Sequence, residues 1–545
     1  MELLKKALVV GLDGASFDLM MPWIEQGYLP NLGRVVKEGA YGNLLSTLDF
    51  TPPGWSSIYT GKNPGKHGIF GFTRQKQGSY KPVAIDATRR DGKDLWEILS
   101  DAGRRVTVFN TPVTYPPRPV NGQFVCGFMT PSEDANYTYP PQLKQELKSA
   151  VKGYKLKWPK VFDLGFATEF YLDSYLKNLH LILDRQGKAS IYLANRYPWD
   201  FFMLVFSEPD VVQHGFWACM DKDSPITLPI NRTRYRDAIL DVYRRIDSIV
   251  GRMLTMADDG TYVVLVSDHG AGPLDKVFHI NMFLKKIGLL EFKTTGRTRI
   301  KRLLHRVILK GLLRNVQDSL RLYTLAAILA RLAALTFSDI DWKSTRAFSV
   351  GAGQIYVNLK GREPEGIVEP GVEYEKVRQE IVKGLMEVRD PNNGKLLIRD
   401  VKLKEDFFSG PHISEAPDLQ FFIEESYKPF PWGAIGEELF SRSLEWTGNH
   451  TQRGIFAIKG PGVQRTKIEG ATVFDVAPTI LYAMGLPIPD DMDGRVLTSA
   501  FGRSHMESRP ISFADSDQKT NEGKFLSKND EDEIEERLRG MGYLG

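Results

Sequence analysis

Cysteine is nearly absent from this sequence. It occurs twice in 545 residues, as Cys126 and Cys219, which excludes a disulfide scaffold and a Cys-rich zinc site. Long apolar runs are missing too. The longest helical one, 322–335, is broken by Arg331 and falls short of the roughly 20 residues that a bilayer requires. Charge of one sign is not in excess: 71 Lys+Arg against 67 Asp+Glu leave a net +4, too little on so long a chain to argue for nucleic acid. What is present is globular, with 42% hydrophobic and 25% charged residues, ample for a core and incompatible with a mostly disordered chain. The N-terminal run 7–12 is too short for a cleaved leader and ends in Asp13-Gly14. It reads as a buried strand that starts the fold, which predicts a cytoplasmic protein.

Short apolar runs alternate with helical patterns. Strands are expected at 7–12, 104–110, 200–206, 261–267 and 454–458, each apolar enough for the centre of a parallel sheet covered on both faces. Helical patterns at 168–196 and 231–256 lead into the third and fourth. The expected fold is α/β: a doubly wound, mostly parallel central sheet with helices on both faces, plus inserted cap segments. The chain divides into 1–284, the first part of the core; 285–345, a basic helical insertion; 346–430, a mixed α/β cap; 431–502, the second part of the core; and 503–545, a charged linker and tail. Within the insertion, residues 293–331 carry ten Lys/Arg and one acid, Asp318. That stretch is either a solvated helical insertion or a surface for anionic groups, phosphate or lipid, with peripheral membrane contact as one use.

The chemistry is expected at the carboxyl ends of the strands, where open α/β sheets bind ligands. Asp13 follows the first strand, Asp210 the third, and Asp268-His269 the fourth. Asp210 and His214 are four residues apart, so one helical face presents both. His450 precedes the last strand. Three Asp and three His, from a chain with nine His in all, suit zinc, with manganese or magnesium as alternatives. Six ligands are too many for one catalytic zinc and suit two ions. A nucleophile is then needed. Pro52 and Pro53 fit the first turn of a helix, which puts Thr51 at the N-cap, where an anion binds readily. A metal on its oxygen would favour the alkoxide without a histidine base.

These segments resemble the alkaline phosphatase superfamily, in particular its type I phosphodiesterase/nucleotide pyrophosphatase branch and the related prokaryotic phosphohydrolase/phosphomutase proteins. The resemblance runs through Gly11-Leu12-Asp13-Gly14, Thr51-x-Pro53, Thr60-Gly61, His67-Gly68-Ile69, Asp210-x-x-x-His214, Ser267-Asp268-His269-Gly270, the segment 450–454 and Asp475-Val476-Ala477-Pro478-Thr479. It implies a hydrolase of phosphate mono- or diesters with two divalent metals, in which Thr51 is phosphorylated and then released by water. Asp13, Thr51, Asp268 and His269 would hold one metal; Asp210, His214 and His450 would hold the other.

Other readings are weaker. No Gly-x-Ser-x-Gly elbow occurs near the candidate strands. The run 61–67 has three residues between its glycines and His where a P-loop needs Ser or Thr. Thr51 and Trp55 stand where sulfatases carry the formylglycine precursor and Arg, and no Asn occurs between Thr51 and Lys62, where many diesterases carry one. A phosphomutase or phosphotransferase could use the same site, and a non-catalytic metal-binding protein could keep the same fold. The inserted segments 70–200 and 285–430 contain no motif that names a substrate.

Overall fold

Four strands have no face towards water, which is why they read as unbroken apolar runs. They are β1 (Lys6–Leu12), buried from Ala7 on, β3 (Val106–Thr111), β6 (Phe201–Phe206) and β7 (Thr261–Val266). This computed structural model describes residues 5–75, 78–156, 168–226, 230–307, 335–431, 438–443, 446–516 and 526–540. The remaining strands of the main sheet are β2 (Ala40–Leu45), β4 (Gly122–Cys126), β5 (Thr138–Tyr139), β8 (Arg453–Lys459), β9 (Thr466–Lys467) and β10 (Ala471–Thr472). Their order is β9-β2-β8-β7-β1-β6-β3-β4-β5, with β10 beside β2. Strands β7, β1, β6, β3 and β4 are mutually parallel. The fold is therefore α/β with a mixed, mostly parallel sheet.

The run at 454–458 departs from the expected direction. Strand β8 is antiparallel to both neighbours, β7 and β2. It is central and covered on both faces, and an apolar run records burial, not direction. Register then fixes what shares an edge. Leu12 pairs with Phe206, Gly11 with Val266, and Leu45 lies opposite Arg453. The ends of β1, β2, β6 and β7 and the start of β8 thus meet at one edge of the sheet.

The helix patterns at 168–196 and 231–256 form Glu169–Arg196 and Ala238–Leu254, the second opened by a separate 3-10 turn, Arg232–Tyr235. In the later helix Val242, Ile246, Val250 and Met253 face the core. Residues 528–540 form a helix whose Ile534 and Leu538 enter the main core.

A second apolar core surrounds a four-stranded antiparallel sheet in the order Ala347–Gly351, Gln354–Val357, Leu419–Ile423, Ile398–Leu403. The helix Val372–Met386 lays Val377, Ile381 and Leu385 onto that core. Polar contacts tie this cap to the main domain: Gln354 Nε2 donates to the Phe70 carbonyl at 2.7 Å, and Asn63 Nδ2 donates to Ser409 Oγ at 3.0 Å.

The basic segment 293–331 is described only as far as the helix Gly296–Val307; residues 308–334 lie outside the described residues. Arg297, Arg299, Ile300 and Leu303 are exposed. Lys301 is buried instead, with its Nζ 2.6 Å from Asp339 Oδ2, so it serves the insertion's packing and not a charged surface. No helix among the described residues is long and apolar enough to cross a membrane.

His412 is a cap contact that titrates. Its Nε2 lies 2.7 Å from Asp91 Oδ2 in the main domain, and its Nδ1 3.1 Å from Glu415 Oε1 in the cap. The Glu415 hydrogen bond, then Asp91, outweigh burial and raise its pKa above the usual imidazole value. A group raised on folding stabilises fully below its unfolded pKa and loses that contribution as pH rises through the folded one. His412→Gln should therefore cost about 1 kcal/mol at about pH 6 and nothing measurable at about pH 9, read as the shift in denaturation midpoint at each pH. An equal cost at both values would rule out the charged contact.

Candidate active site

Three histidines converge on a carboxylate cluster, and each is aimed by its backbone. His214 Nδ1 faces the Gly448 carbonyl at 3.0 Å, His269 Nδ1 the Gly270 carbonyl at 3.0 Å, and His450 Nδ1 the Asp49 carbonyl at 2.6 Å. A carbonyl accepts only, so each Nδ1 carries a proton, and each ring, when neutral, presents its Nε2 lone pair. Those lone pairs point inward. His214 Nε2 and His450 Nε2 lie 3.1 and 3.2 Å from Asp210 Oδ1, and 3.0 Å from each other. His269 Nε2 lies 3.5 Å from Asp13 Oδ1 and 3.4 Å from Asp268 Oδ2.

All six side chains are buried, and five of them form two overlapping groups whose ligand atoms lie within 4.8 Å of one another: Asp210, His214 and His450, and Asp13, Asp210 and His269; Asp268 belongs to neither and stands 3.4 Å from His269 Nε2. Asp210 belongs to both. The sequence placed it in one group; the geometry sets it between them. Among the described residues, Asp13 Oδ1, both Asp268 oxygens and His269 Nε2 are buried without a hydrogen-bond partner. Buried acceptors without donors are costly unless a cation meets them.

The electrostatics carry the same imbalance. Burial first, then Asp268 and Asp210, raise Asp13 well above the carboxylate range, and burial lifts Asp268 to about 8. Burial lowers His214 and takes His269 down to about 3. Burial acts against charge on Asp210 and His450 as well, but their mutual attraction outweighs it: Asp210 stays well below its usual value, with His214 helping, and His450 rises. Carboxylates compressed into one dry volume resist ionising together, and a cation held among them would relieve that cost.

Local structure explains the convergence. Asp210 and His214 sit in the first two turns of the helix Glu208–Met220, one turn apart. After β7 the chain pairs Gly270–Pro273 with Gly448–Thr451, setting Ala271 opposite His450. That antiparallel pair stacks the His450 ring on His269 with centroids 3.9 Å apart, while Trp446 stacks on His214 at 3.8 Å. Gly14, at φ +70°, takes the left-handed turn after Asp13, where a Cβ would lie 3.2 Å from the Asp210 backbone.

Thr51 is buried at the same edge, but not as an N-cap. Phe50 is the cap, extended at φ −126°, and its carbonyl accepts from Gly54 N–H at 3.0 Å; Thr51 is the first residue of the helix Thr51–Thr60. The prolines fit either frame, because the first three helical positions have no intrahelical use for an N–H. The first turn lies directly on the acidic cluster: a Cβ at Gly54 would stand 2.9 Å from Asp268 Cβ. His67 stays outside the cluster. It receives the Ile69 N–H on Nδ1 and faces Ser57 Oγ with Nε2, bracing the helix that Thr51 begins.

Sequence reasoning missed Gly54, Trp446 and the aiming carbonyls of Asp49, Gly448 and Gly270. The available signal was glycine one to three residues from a proposed ligand or nucleophile. Gly54→Ala should push the Thr51 turn off Asp268, lowering kcat/KM by roughly 10- to 100-fold at a stability cost of about 1–3 kcal/mol. Steady-state kinetics and a denaturation curve on the same sample check this, and a wild-type kcat/KM would show that the turn absorbs the methyl.

The family model described as type I phosphodiesterase / nucleotide pyrophosphatase matches residues 7–430, a span that ends before His450. No curated protein matches by sequence. Among solved structures, phosphonoacetate hydrolase from Sinorhizobium meliloti 1021, in complex with phosphonoacetate, is similar with a TM-score of 0.52 and 16% identity, over 88% of this chain and 95% of that one. Human ectonucleotide pyrophosphatase / phosphodiesterase 5 is similar with a TM-score of 0.47 and 14% identity, over 91% and 99%. The first likeness shows a shared fold.

Proposed function

The chain belongs to the type I phosphodiesterase / nucleotide pyrophosphatase family and is a hydrolase of phosphoric ester bonds; from that premise we propose that it works at two divalent cations, with Thr51 as nucleophile. The observation that carries this reading is the aiming of His214, His269 and His450, each with Nδ1 on a backbone carbonyl and Nε2 turned into buried carboxylates. Asp210, His214 and His450 hold one ion in this reading. Asp13, Thr51, Asp268 and His269 hold the other, with Asp210 between them. A donor set of imidazole and carboxylate favours zinc and admits manganese or magnesium.

Bound there, the cations would supply Lewis acidity to the ester oxygens and to a hydroxyl losing its proton. The chain supplies the rest. Thr51 Oγ1 forms a bond to phosphorus as the bond to the leaving alcohol breaks; the hydroxyl proton is lost and the alcohol gains one. Water then attacks the phosphothreonine from the vacated side and loses a proton, the P–Oγ1 bond breaks, Thr51 Oγ1 takes up a proton, and phosphate or its monoester departs. Two inversions give net retention at phosphorus. Burial of Thr51 and the surrounding Asp and His keeps competing water away from the first step. A second alcohol in place of water would make the same site a transferase or mutase. Two further parts of the reading are a cytoplasmic location, favoured by the two free, buried cysteines, and peripheral contact with an anionic surface through the exposed Arg297, Arg299, Ile300 and Leu303.

Thr51→Ala should lower turnover by roughly 10³-fold or more while bound metal, measured by elemental analysis, stays near two ions per chain. Activity close to wild type would remove Thr51 from the mechanism. Because His214 and His450 share one ion, His214→Ala, His450→Ala and the double variant should lose similar activity, far from the product of the single losses. Losses that multiply would separate the two histidines.

A further inference from the structure

Between the metal-ligand cluster and the cap lies a cleft whose inner end is His450 itself. Phe50 and Phe72 of the main domain face it from one side, Val350, Ile423 and Phe430 of the cap from the other, and Trp446 lines it beside His214. Asp49 and Phe50, the two residues before Thr51, line the cleft, and the Asp49 carbonyl holds His450. A phosphoryl group at Thr51 would therefore send one substituent into this space.

The charged groups of the lining are already committed. Arg399 Nη1 lies 3.3 Å from Glu425 Oε1, and Lys428 Nζ sits 3.0 Å from the centroid of a Trp446 ring. Among the described residues of the lining these are the two cations. The carboxyl groups of Asp49 and Glu425 stand in the same lining and offset these two cations, and desolvating an anionic group against Phe50, Val350, Ile423 and Phe430 would be costly. An uncharged apolar group fits instead, because it trades water for aromatic and aliphatic surface.

We propose that this cleft seats the leaving alcohol, and that the enzyme prefers phosphate esters of uncharged, bulky apolar alcohols over substrates whose leaving group is anionic. The inference rests on the phosphohydrolase reading and names its substrate class.

The test is a series of alkyl phosphates and their methyl diesters from propyl to decyl, whose leaving alcohols are of nearly equal acidity. Phenyl and naphthyl esters distinguish an aryl from an alkyl occupant, and a nucleoside triphosphate supplies an anionic leaving group. The zinc-loaded full chain is used throughout. The expected result is that kcat/KM rises roughly two- to fourfold per methylene until the cleft is filled, and that the nucleoside triphosphate is at least about tenfold slower than the best apolar ester. In Phe430→Ser, and separately in Val350→Asp, the decyl-to-propyl ratio should fall at least about threefold. Either variant suffices if the other fails to fold. A flat or falling length dependence, or preference for the nucleoside triphosphate, overturns the inference while leaving the phosphohydrolase reading intact, provided turnover still requires Thr51. Absence of Thr51-dependent turnover of every ester overturns both.

Discussion

Each imidazole of the cluster is tied through Nδ1 to a backbone carbonyl, and the remainder of the site depends on that constraint. The carbonyls of Asp49, Gly448 and Gly270 set the tautomer and direction of His450, His214 and His269. With the Nδ1 protons so placed, the Nε2 lone pairs of His214 and His450 face each other at 3.0 Å and share Asp210 Oδ1. Two neutral rings at that distance set lone pair against lone pair, which a proton on His450 or a bound cation would relieve. The fold therefore holds an arrangement that positive charge relaxes, which is how a protein makes a tight cation site. The stacking of Trp446 on His214 and of His450 on His269 keeps the rings from turning away.

That arrangement is possible because five strand ends meet at one edge. Parallel β1, β6 and β7 deliver Asp13, Asp210 and Asp268 by register alone, since Leu12 pairs with Phe206 and Gly11 with Val266. Antiparallel β8 brings His450 from the opposite chain direction, and β2 brings the segment that ends in Thr51. Close approach is then a matter of missing side chains. At Gly11 a Cβ would collide with Trp55, at Gly54 with Asp268, and at Gly448 with the Gln213 carbonyl. A methyl at any of these would move a ligand or the Thr51 turn by a fraction of an ångström, the scale on which positioning matters.

How much of this is visible in the sequence depends on which physical signal each part leaves. Buried central strands leave an unbroken apolar run, so β1, β3, β6, β7 and β8 are found to within about two residues. The direction of β8 leaves no such trace, because burial on both faces is the same for either orientation. Carboxylates at strand ends and the Asp210–His214 spacing are legible, since one follows from topology and the other from helix geometry. The sharing of Asp210 between two groups is not, because it depends on distances between elements far apart in the chain. The frame of the Thr51 helix is off by one residue for a definite reason: proline is tolerated at any of the first three positions, so it marks the first turn without fixing its first residue.

The proposed chemistry and the proposed selectivity stand on different cores, and the joint between them matters. The ligands and Thr51 stand on the main sheet, whereas Val350, Ile423 and Phe430 of the cleft belong to the cap, which has its own apolar core. The cap's sheet could change its lining residues without disturbing strand register at the metal edge. The joint is part polar and part apolar: Gln354 on the Phe70 carbonyl, Ser409 on Asn63 and His412 on Asp91, beside the packing of Leu48 and Phe70 with Phe408 and Ala416 and of Tyr80 on Trp342. His450 is common to the cleft and the ligand cluster. A group entering the cleft therefore meets a ring that is already fixed by the Asp49 carbonyl two residues before Thr51. In the proposed reading a shift of the 49–51 segment therefore moves the His450 ring, the cleft wall at Phe50 and Thr51 together.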